Sequence, residues 1–512
     1  EQSDELFGKK QPLNSLHQEI AENFYPERAT FTVTRSIGND FASNLMSSYP
    51  ILCRRDMGDQ FGSMMRPTAK PWFHVKRKHY KSEDNETLRW LQYFEEVQRA
   101  AMYDTSARLT RATKEGDNDI AAFGQCAISV ELNSKRDGML YRCWHLRDMC
   151  WQEGEDGQIS VIFRKWKPHA REVVRMFPKT VHASVKRMAE KTPFEEIECL
   201  HMVVEADMYD GKANGKPRFS IYYDVANDTV LEATPIWGKH YVIPRWQTVS
   251  GSQYSYSPAT VAALPDARLI QAMTYTLLSA GEKATNPPMI ATQDAVRSDI
   301  ALYPGGVTWV DMEYDERLGD VLRPITQDTR GIGHGLQMNA DSRQMIHRAF
   351  YLDAMSLPAR ASGMSEYEVG ERVQEYIRRA LPLFEPLENE YNAALCEETF
   401  DILWRNNAFG PPTDWPKTLH GSEVEFNFES PLHDAIEQAR AQELLKGVQL
   451  VAGVQALDPS VAVMIDVKTA LRDALNGIGF RATWMRSEDD VMAAEKAKQQ
   501  QEQQAMMMQA LQ

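Results

Sequence analysis

The sequence predicts an α+β protein that is mainly helical. Long stretches with helical spacing of apolar residues flank a central region, from about 121 to 249, of short β-branched and aromatic runs broken by Gly, Pro and Asp. Of the 512 residues, 43% are apolar and 25% are charged, which is typical of globular chains and excludes wholesale disorder. At roughly 100–200 residues per domain, this length predicts about three substructures.

The overall charge argues against one class of function. With 57 Lys and Arg against 72 Asp and Glu, the formal charge is −15, which argues against tight, sequence-independent binding of duplex DNA.

No apolar run approaches the roughly 20 residues that span a bilayer, and residues 1–10 do not resemble a signal peptide. The six cysteines are sparse and are expected to be reduced, intracellular core thiols: Cys53, Cys126, Cys143, Cys150, Cys199 and Cys396.

The first half of the chain is predicted to pass from helices to strands. Helical spacing occupies parts of 15–65 and the whole of 86–114, which is interpreted as a single amphipathic helix. Strands are expected within four short runs, at 126–132, 158–166, 219–225 and 240–246.

Two helices of similar length are predicted to enclose a small β insert. Ser257 is a candidate N-cap with Pro258 at the first helical position, and Pro265 is expected to restart the helix. The prolines after Asn286 would end it, leaving about 20 residues, or about 30 Å. The second helix is predicted at 334–355 and ends before Pro358.

The remaining chain is predicted to be largely helical. A loop at 356–365 leads into a long helical pattern at 366–406, which contains prolines and is expected to be kinked. A strand is predicted at 423–429, followed by helices at 434–451 and 459–476 and a helical or frayed tail at 487–512.

The sequence offers little support for catalysis or for a cofactor. It has no P-loop, no H-E-x-x-H, no C-x-x-C pair and no G-x-S-x-G. The glycine run at 331–335 is interpreted as a hinge, Cys143, His145 and Cys150 as buried side chains rather than metal ligands, and Asp117 and Asp119 as residues of a turn.

Charge is unevenly distributed along the chain. Between 160 and 191 the net charge is +7, with Phe163 and Trp166 interleaved, and 60–82 contains six basic and no acidic residues: Arg66, Lys70, Lys76, Arg77, Lys78 and Lys81. Such stretches suit nucleic acid, but solvated faces or complements to acidic surfaces are the favoured interpretation. The insert at 286–328 has a net charge of −5, which suits either a basic protein partner or a soluble loop.

Several motifs in a fixed order indicate a family. They are YSYSPATVAALPDARLIQAMTYTLLSAGEKATNPPMI at 254–290, RPTAKPWF at 66–73, FGQCAISVE at 123–131, VIPRWQ at 242–247 and MSEYEVGERVQEYIRRALPLFEPLENE at 364–390. Over about 21–480 the sequence resembles the head-to-tail connector (portal) proteins of short-tailed, T7-like bacteriophages. It departs from the family's Thr-Ala-Thr at residues 365–367.

The resemblance implies the phage portal fold, assembled as a ring, usually a dodecamer, with a central channel. It divides the chain into a wing at 1–256, β-rich from about 121, a stem of two helices at 257–286 and 329–355, and a clip at 287–328. A tunnel loop would follow at 356–365, then the wing's spine helix and strand at 366–430 and a crown with a helical tail at 431–512.

The resemblance also implies a structural role at the unique capsid vertex, in the virion and, during assembly, in the host cytoplasm. Double-stranded DNA would pass through the channel during packaging and ejection. The other partners would be the terminase large subunit, tail adaptor proteins, scaffold and the major capsid protein, without a membrane, a metal or a cofactor.

Two sets of site residues follow from the resemblance. The tunnel-loop residues expected to face DNA are Ser356, Leu357, Arg360, Ser362 and Met364. The clip residues expected to dock partners are Asp299, Asp311, Glu313, Asp315 and Glu316. No catalytic residue is expected. The alternatives are a DNA-processing enzyme or motor subunit and a different ring protein such as a tail adaptor.

Overall fold

The computed structural model describes residues 1–35, 45–68, 71–79, 84–291, 322–324, 330–355 and 385–428. Helices and antiparallel strands occur together in this part of the chain, and about half of it is helical. The expectation of a mixed fold is therefore confirmed.

The N-terminal part is a group of helices packed on a short strand. Its elements are α1 (Gln2–Lys9), α2 (Gln11–Phe24), α3 (Tyr49–Met65), β1 (Phe73–Arg77), α4 (Asn85–Met102) and α5 (Leu109–Phe123). The prediction of one helix over 86–114 is wrong, because the chain turns between α4 and α5. The Asp104 carboxylate accepts a hydrogen bond from the Ser106 amide at 2.8 Å, and Arg108 adopts a φ of 59°.

Helix α5 corrects a second prediction. Asp117 and Asp119, expected in a turn, lie within this helix and are buried. Their carboxylates face basic side chains from other elements and not solvent, as described below. The helix ends at Gly124, whose φ of 74° is the left-handed conformation of a common helix C-terminus.

Two antiparallel sheets form the central part. A five-stranded sheet has the order β4-β5-β6-β7-β8, and a three-stranded sheet has the order β3-β2-β9. The strands are β2 (Ile128–Leu132), β3 (Met139–Cys143), β4 (Met149–Glu153), β5 (Ile159–Trp166), β6 (Cys199–Glu205), β7 (Arg218–Asp224), β8 (Thr229–Ile236) and β9 (Tyr241–Val242). Three of the four predicted strand runs are confirmed, whereas 240–246 is strand only at its second and third residues.

Helices also occur inside this strand-rich part. Between β5 and β6 the chain forms α6 (Ala170–Met176) and α7 (Ala183–Lys191), which together with their flanks at 167–198 we call the basic lobe. Apolar side chains of the lobe, among them Val173, Phe177 and Val185, form a small cluster with Cys199 and Leu231 of the sheet. It leaves and re-enters the sheet at paired residues, Trp166 and Cys199.

The C-terminal described part returns to the N-terminal helices. Its elements are β10 (Gln247–Thr248), β11 (Ser255–Tyr256), α8 (Pro258–Thr285), β12 (Met289–Ala291), β13 (Leu322–Pro324), α9 (Arg330–Ala349), α10 (Leu352–Met355), a π-helix (Glu388–Ala393), α11 (Ala394–Arg405) and β14 (Val424–Phe428). Strand β14 confirms the strand predicted at 423–429. It pairs antiparallel with β1, so that Phe428 lies opposite Phe73.

Three helical predictions in this part need correction. Helix α8 continues through Pro265 as one helix of 28 residues instead of restarting there. The second predicted helix breaks at Tyr351, where φ is 53°, into α9 and α10. The glycine run at 331–335 is not a hinge but the first turns of α9.

One large apolar cluster joins these parts. It contains side chains of α2 to α5, the three-stranded sheet, the first half of α8 and α11.

All six cysteines are free thiols; five are buried and Cys143 is half-buried. Of the helices within the described ranges, none is long and apolar enough to cross a membrane.

Candidate functional site

The feature that stands out from the packed body is a pair of long helices. At 1.5 Å per residue, α8 is about 42 Å long and α9 about 30 Å. The Asn339 amide donates to the Thr274 hydroxyl at 3.1 Å, and a side chain at Gly335 would contact Leu277. Since residue numbers rise on one helix as they fall on the other, the helices are antiparallel. We call α8, β12, β13 and α9 the helical hairpin.

Only the first half of α8 belongs to the core. Its buried residues all lie between 259 and 270: Ala259, Thr260, Ala263, Leu264, Ala267 and Ile270. From 271 to 285 every residue is exposed or half-buried. The second half of α8 therefore projects from the body, and α9 covers one side of it.

The described end of the hairpin is a two-stranded ribbon. Strands β12 and β13 pair antiparallel, with Met289 opposite Pro324 and Ala291 opposite Leu322. This pairing brings the two ends of the acidic insert together.

The base of α8 is tied to the end of α5. The Ser257 hydroxyl caps α8 by accepting from the Thr260 amide at 3.4 Å, and it donates to the Ala121 carbonyl at 2.8 Å. The Thr260 hydroxyl donates to the Ala122 carbonyl at 2.7 Å. Side-chain hydroxyls at the start of one helix thus satisfy carbonyls that the end of the other leaves unpaired.

Gly124 lets these two helices approach. A Cβ atom at Gly124 would overlap the carbonyl of Tyr256 and the nitrogen of Ser257. The Gly124 carbonyl accepts from the Trp246 amide at 2.8 Å and from the Ser255 hydroxyl at 2.5 Å. No side chain fits here, so this glycine sets the position at which α8 leaves the body.

Two polar contacts hold the middle of α8. The Gln271 side chain accepts from the amides of Met46 and Ser47 at 2.7 and 2.8 Å and donates to the Ser47 carbonyl at 2.9 Å. The Arg268 guanidinium forms an ion pair with Glu19 of α2. These contacts attach the helix to the body at the point where it begins to project.

Two buried carboxylates of α5 form ion pairs with arginines from other parts of the chain. Asp117 pairs with Arg66, which also donates to Asn392 at 2.8 Å; Asp119 pairs with Arg28 at 2.7 Å. Burial raises the pKa of the Asp117 carboxyl, and the Arg66 guanidinium acts in the opposite direction. Arg66, which belongs to the basic run at 60–82, is therefore buried and forms an ion pair inside the protein. Its interpretation as part of a solvated face is wrong.

Lys10 fastens the N-terminal helices to the β-sheet part. It is 1% exposed, and its ammonium group donates to the carbonyls of Leu146 and Met149 at 2.6 and 2.7 Å. The rings of Trp151 and Tyr254 lie 5.2 and 5.3 Å away. Burial lowers the pKa of Lys10 to about 7.

The projecting helices expose large apolar side chains. On α8, Tyr275 is 62% and Leu278 is 53% exposed, and these residues share a face because they are three positions apart. On α9 the exposed side chains include Leu336, Met338 and Met345. Such a surface on a thin projection is typical of a contact with another chain.

The ten predicted site residues all lie outside the described part of the chain. They are the five tunnel-loop residues from Ser356 to Met364 and the five clip acids from Asp299 to Glu316, and the predicted tunnel loop and the crown lie outside it as well. Among the described residues, no group of three or more His, Cys, Asp or Glu side chains could hold a metal ion.

Sequence reasoning identified Ser257 as a helix cap but missed Gly124 and Gln271, which support the hairpin, and Lys10, which joins the N-terminal helices to the sheet. Gly124 follows a helical pattern directly, and that position is a recognised signal for a helix end. Gln271 and Lys10 carry no such signal, because their partners are distant in sequence: residues 46 and 47 for Gln271, residues 146 and 149 for Lys10.

The most prominent feature of the fold is a helical hairpin that projects from a body of helices and sheets. Comparisons with known proteins identify the family that has this chain as a member. The family model described as bacteriophage head to tail connecting protein matches residues 2–485. The chain belongs to this family.

Two relatives agree with the family. A probable portal protein of Bordetella phage BPP-1 is 23% identical over 90% of this chain and 83% of its own length. The portal protein of Salmonella phage epsilon15 is 22% identical over 95% of this chain and 88% of its own length. A chain in the solved structure of the virion of a native gene transfer agent particle aligns with 86% of this chain and 95% of its own length, at 11% identity and a TM-score of 0.35. The family model and the two relatives confirm the resemblance to portal proteins and the head-to-tail connecting function.

Proposed function

We propose that this chain forms the portal ring at one capsid vertex, conducts double-stranded DNA during packaging and ejection, and docks the terminase large subunit and then tail adaptor proteins. The ring is a dodecamer that also contacts scaffold and the major capsid protein. The chain itself catalyses no reaction, and ATP hydrolysis belongs to the terminase.

The exposed apolar surface of the helical hairpin carries this proposal. Tyr275 and Leu278 would each lose most of their water contact if a neighbouring copy packed against the hairpin, and burial of a large apolar side chain contributes about 1.5–3 kcal/mol. Repetition of one such contact around an axis closes a ring. In that ring α8 and α9 form the stem, and the ribbon of β12 and β13 leads into the clip.

The remaining assignments follow the same division of the chain. The clip at 287–328 docks partners through Asp299, Asp311, Glu313, Asp315 and Glu316. The tunnel loop at 356–365 faces the DNA, with Arg360 as its cation. The net charge of −15 is compatible with this role, because strong neutralisation of phosphates along a channel would retard the passage of DNA.

Substitution of the hairpin surface tests the ring. We expect Tyr275→Ser with Leu278→Ser to shift the protein toward monomers in sedimentation velocity, because two side chains at the contact lose their apolar area. Val225→Ser with Val249→Ser is the matched control, since these side chains are 49% and 54% exposed elsewhere on the body.

End-on electron micrographs of the unsubstituted protein should show a ring with a central channel. An oligomer that survives the hairpin substitutions would contradict the proposed contact. ATPase or nuclease activity of the purified chain would contradict the structural role and favour a motor or DNA-processing enzyme.

A further inference from the structure

The basic lobe carries exposed positive charge that the interior does not use. In addition to Lys167, six of its Lys and Arg side chains are exposed: Arg171, Arg175, Lys179, Lys186, Arg187 and Lys191. None of them forms an ion pair with a carboxylate of the described residues, whereas Lys167 at the edge of the lobe pairs with Glu198 at 2.8 Å. In a chain of net charge −15, these six cations, which the lobe presents beside exposed glutamates such as Glu172 and Glu190, are available to an external partner.

Part of this surface is a cleft of about 440 Å³. It is lined by His169, Arg171, Glu172, Arg175, Pro193 and Phe194. One wall is the start of α6 and the other is the segment that returns to the sheet.

Backbone hydrogen bonds hold the two walls at a set distance. The Ala170 amide donates to the Glu195 carbonyl at 2.8 Å, and the Ile197 amide donates to the Pro168 carbonyl at 2.9 Å. The Arg171 amide donates to the Pro193 carbonyl at 3.2 Å. A partner would therefore meet a cleft that is already formed and would not bear the cost of ordering it.

The cleft combines two kinds of chemistry. Arg171 and Arg175 are four residues apart on α6 and so lie on one face, where their guanidinium groups can each bind a carboxylate by two hydrogen bonds. Opposite them, Phe194 is 72% exposed, and its ring lies edge-on to His169 with centroids 6.0 Å apart. An exposed phenylalanine beside arginines is typical of a protein-binding surface.

We propose that this cleft binds an acidic polypeptide segment that also carries an apolar side chain. The carboxylates of the segment contact Arg171 and Arg175, and its apolar side chain covers Phe194. The three glutamates at the cleft, Glu172 in its lining and Glu195 and Glu196 in its second wall, confine the favourable positions for negative charge to the two arginines. A segment with separate carboxylates can place its charges at Arg171 and Arg175 alone, whereas the continuous phosphate backbone of a nucleic acid fits such a surface less well. The proposal goes beyond the portal function and does not depend on it.

Fluorescence anisotropy on the full assembled chain tests the proposal. The probe is a short fluorescein-labelled peptide in which glutamates alternate with leucine and phenylalanine, and the comparison probes are the same peptide with lysine in place of glutamate and a labelled DNA duplex. We expect only the acidic peptide to bind, with an affinity that falls as salt is raised.

Two variants locate the contact. Arg171→Ala with Arg175→Ala should weaken binding of the acidic peptide by roughly tenfold, since two charge-assisted contacts are lost. Phe194→Ser should weaken it several-fold, because the apolar contact is removed. Lys135→Ala with Lys212→Ala removes the same charge from exposed sites outside the lobe and should leave binding unchanged. Unchanged far-ultraviolet circular dichroism shows that the variants are folded.

Three results would overturn the proposal. The first is equal binding of the acidic peptide by the arginine variant and the lysine control. The second is equal binding of the acidic and basic peptides. The third is binding of the duplex that the arginine variant loses while the peptide shows none, which would assign the cleft to nucleic acid.

Discussion

Gly124 shows how a single residue can determine where a long element leaves the body. Its φ of 74° already excludes most side chains, and the chain at Tyr256 and Ser257 occupies the space where a Cβ atom would lie. Gly157, in the turn between β4 and β5, has nearly the same φ of 73° but open space around it. Comparison of the two glycines therefore distinguishes the requirement for a positive φ from the requirement for space around the Cα atom.

We expect Gly124→Ala to be much more destabilising than Gly157→Ala. Both substitutions incur about 1–2 kcal/mol for a left-handed non-glycine residue. Gly124→Ala adds overpacking of the α5–α8 junction, which costs a further amount of about 1–3 kcal/mol. Urea unfolding followed by circular dichroism measures the difference, and equal losses of stability would show that the junction can open to admit a methyl group.

Lys10 should make the stability of the protein depend on pH. Burial lowers its pKa from 10.5 to about 7, so the unfolded chain binds more protons than the folded chain between these values. The free energy of unfolding should therefore rise with pH across that window, with a slope that approaches about 1.4 kcal/mol per pH unit.

Lys10→Met tests this expectation in urea unfolding at several pH values from about 7 to about 9.5, which lie inside that window. The difference in unfolding free energy between the unsubstituted chain and the variant isolates the contribution of Lys10 and should change with pH. Lys9→Met, which removes an exposed lysine one residue away, should leave the pH dependence unchanged. A pH-independent difference for Lys10→Met would mean that the ammonium group keeps its proton throughout.

At the scale of the element, one of the glycines at the start of α9 lies at the contact between α8 and α9. Of the three glycines at the start of α9, Gly331 and Gly333 face open space, with no atom within 4 Å of the place where a Cβ atom would lie. A Cβ atom at Gly335, by contrast, would lie 2.8 Å from the Leu277 side chain. The same residue type therefore has two roles within two turns of one helix.

Alanine substitutions should separate these roles. Gly333→Ala should stabilise the chain by up to about 1 kcal/mol, because alanine favours a helix and meets no obstacle. Gly335→Ala should give no gain or a loss, because Leu277 must move to accept the methyl group. Thermal unfolding of the two variants measures this, and equal stabilisation by both would show that the Leu277 side chain moves aside without cost.

At the scale of the whole molecule, charge is separated between regions. The basic lobe presents unpaired cations, Arg28 and Arg66 pair with buried carboxylates of α5, and the insert at 286–328 holds a net charge of −5. Separated charges of this kind favour association with different partners at different surfaces.

Neutralisation of the insert should weaken docking of the terminase large subunit, given the proposed clip. Asp311→Asn, Glu313→Gln, Asp315→Asn and Glu316→Gln together should reduce the affinity by about tenfold at low salt and by less at high salt. The matched control removes four exposed acids from the body, at Glu86, Glu155, Asp207 and Asp210. Affinity measured by biolayer interferometry that is the same for both variants would remove the electrostatic account of docking.

Local patterns predicted many of the elements but not their breaks. The cap at Ser257 and the strand β14 follow from signals within a few residues and are confirmed. Helical spacing does not show the turn after Met102, which the prediction of one helix missed. That turn is stabilised by a local contact between Asp104 and Ser106. The predicted restart of the helix at Pro265 and the predicted turn at Asp117 are also wrong, because α8 continues through Pro265 and Asp117 is buried in a helix. These two features depend on tertiary packing, which can override local propensity.

The sequence by itself determined the mixed class of fold, the two long helices around an acidic insert, and the family. These are properties of residue order, which periodicity, capping residues and motif order express directly. Only the tertiary structure decided which charged residues face inward, where α8 leaves the body, and that Arg171, Arg175 and Phe194 share one cleft. Those outcomes arise from contacts between residues far apart in the chain, and a carboxylate or a glycine has the same local sequence signal whether a partner reaches it or not.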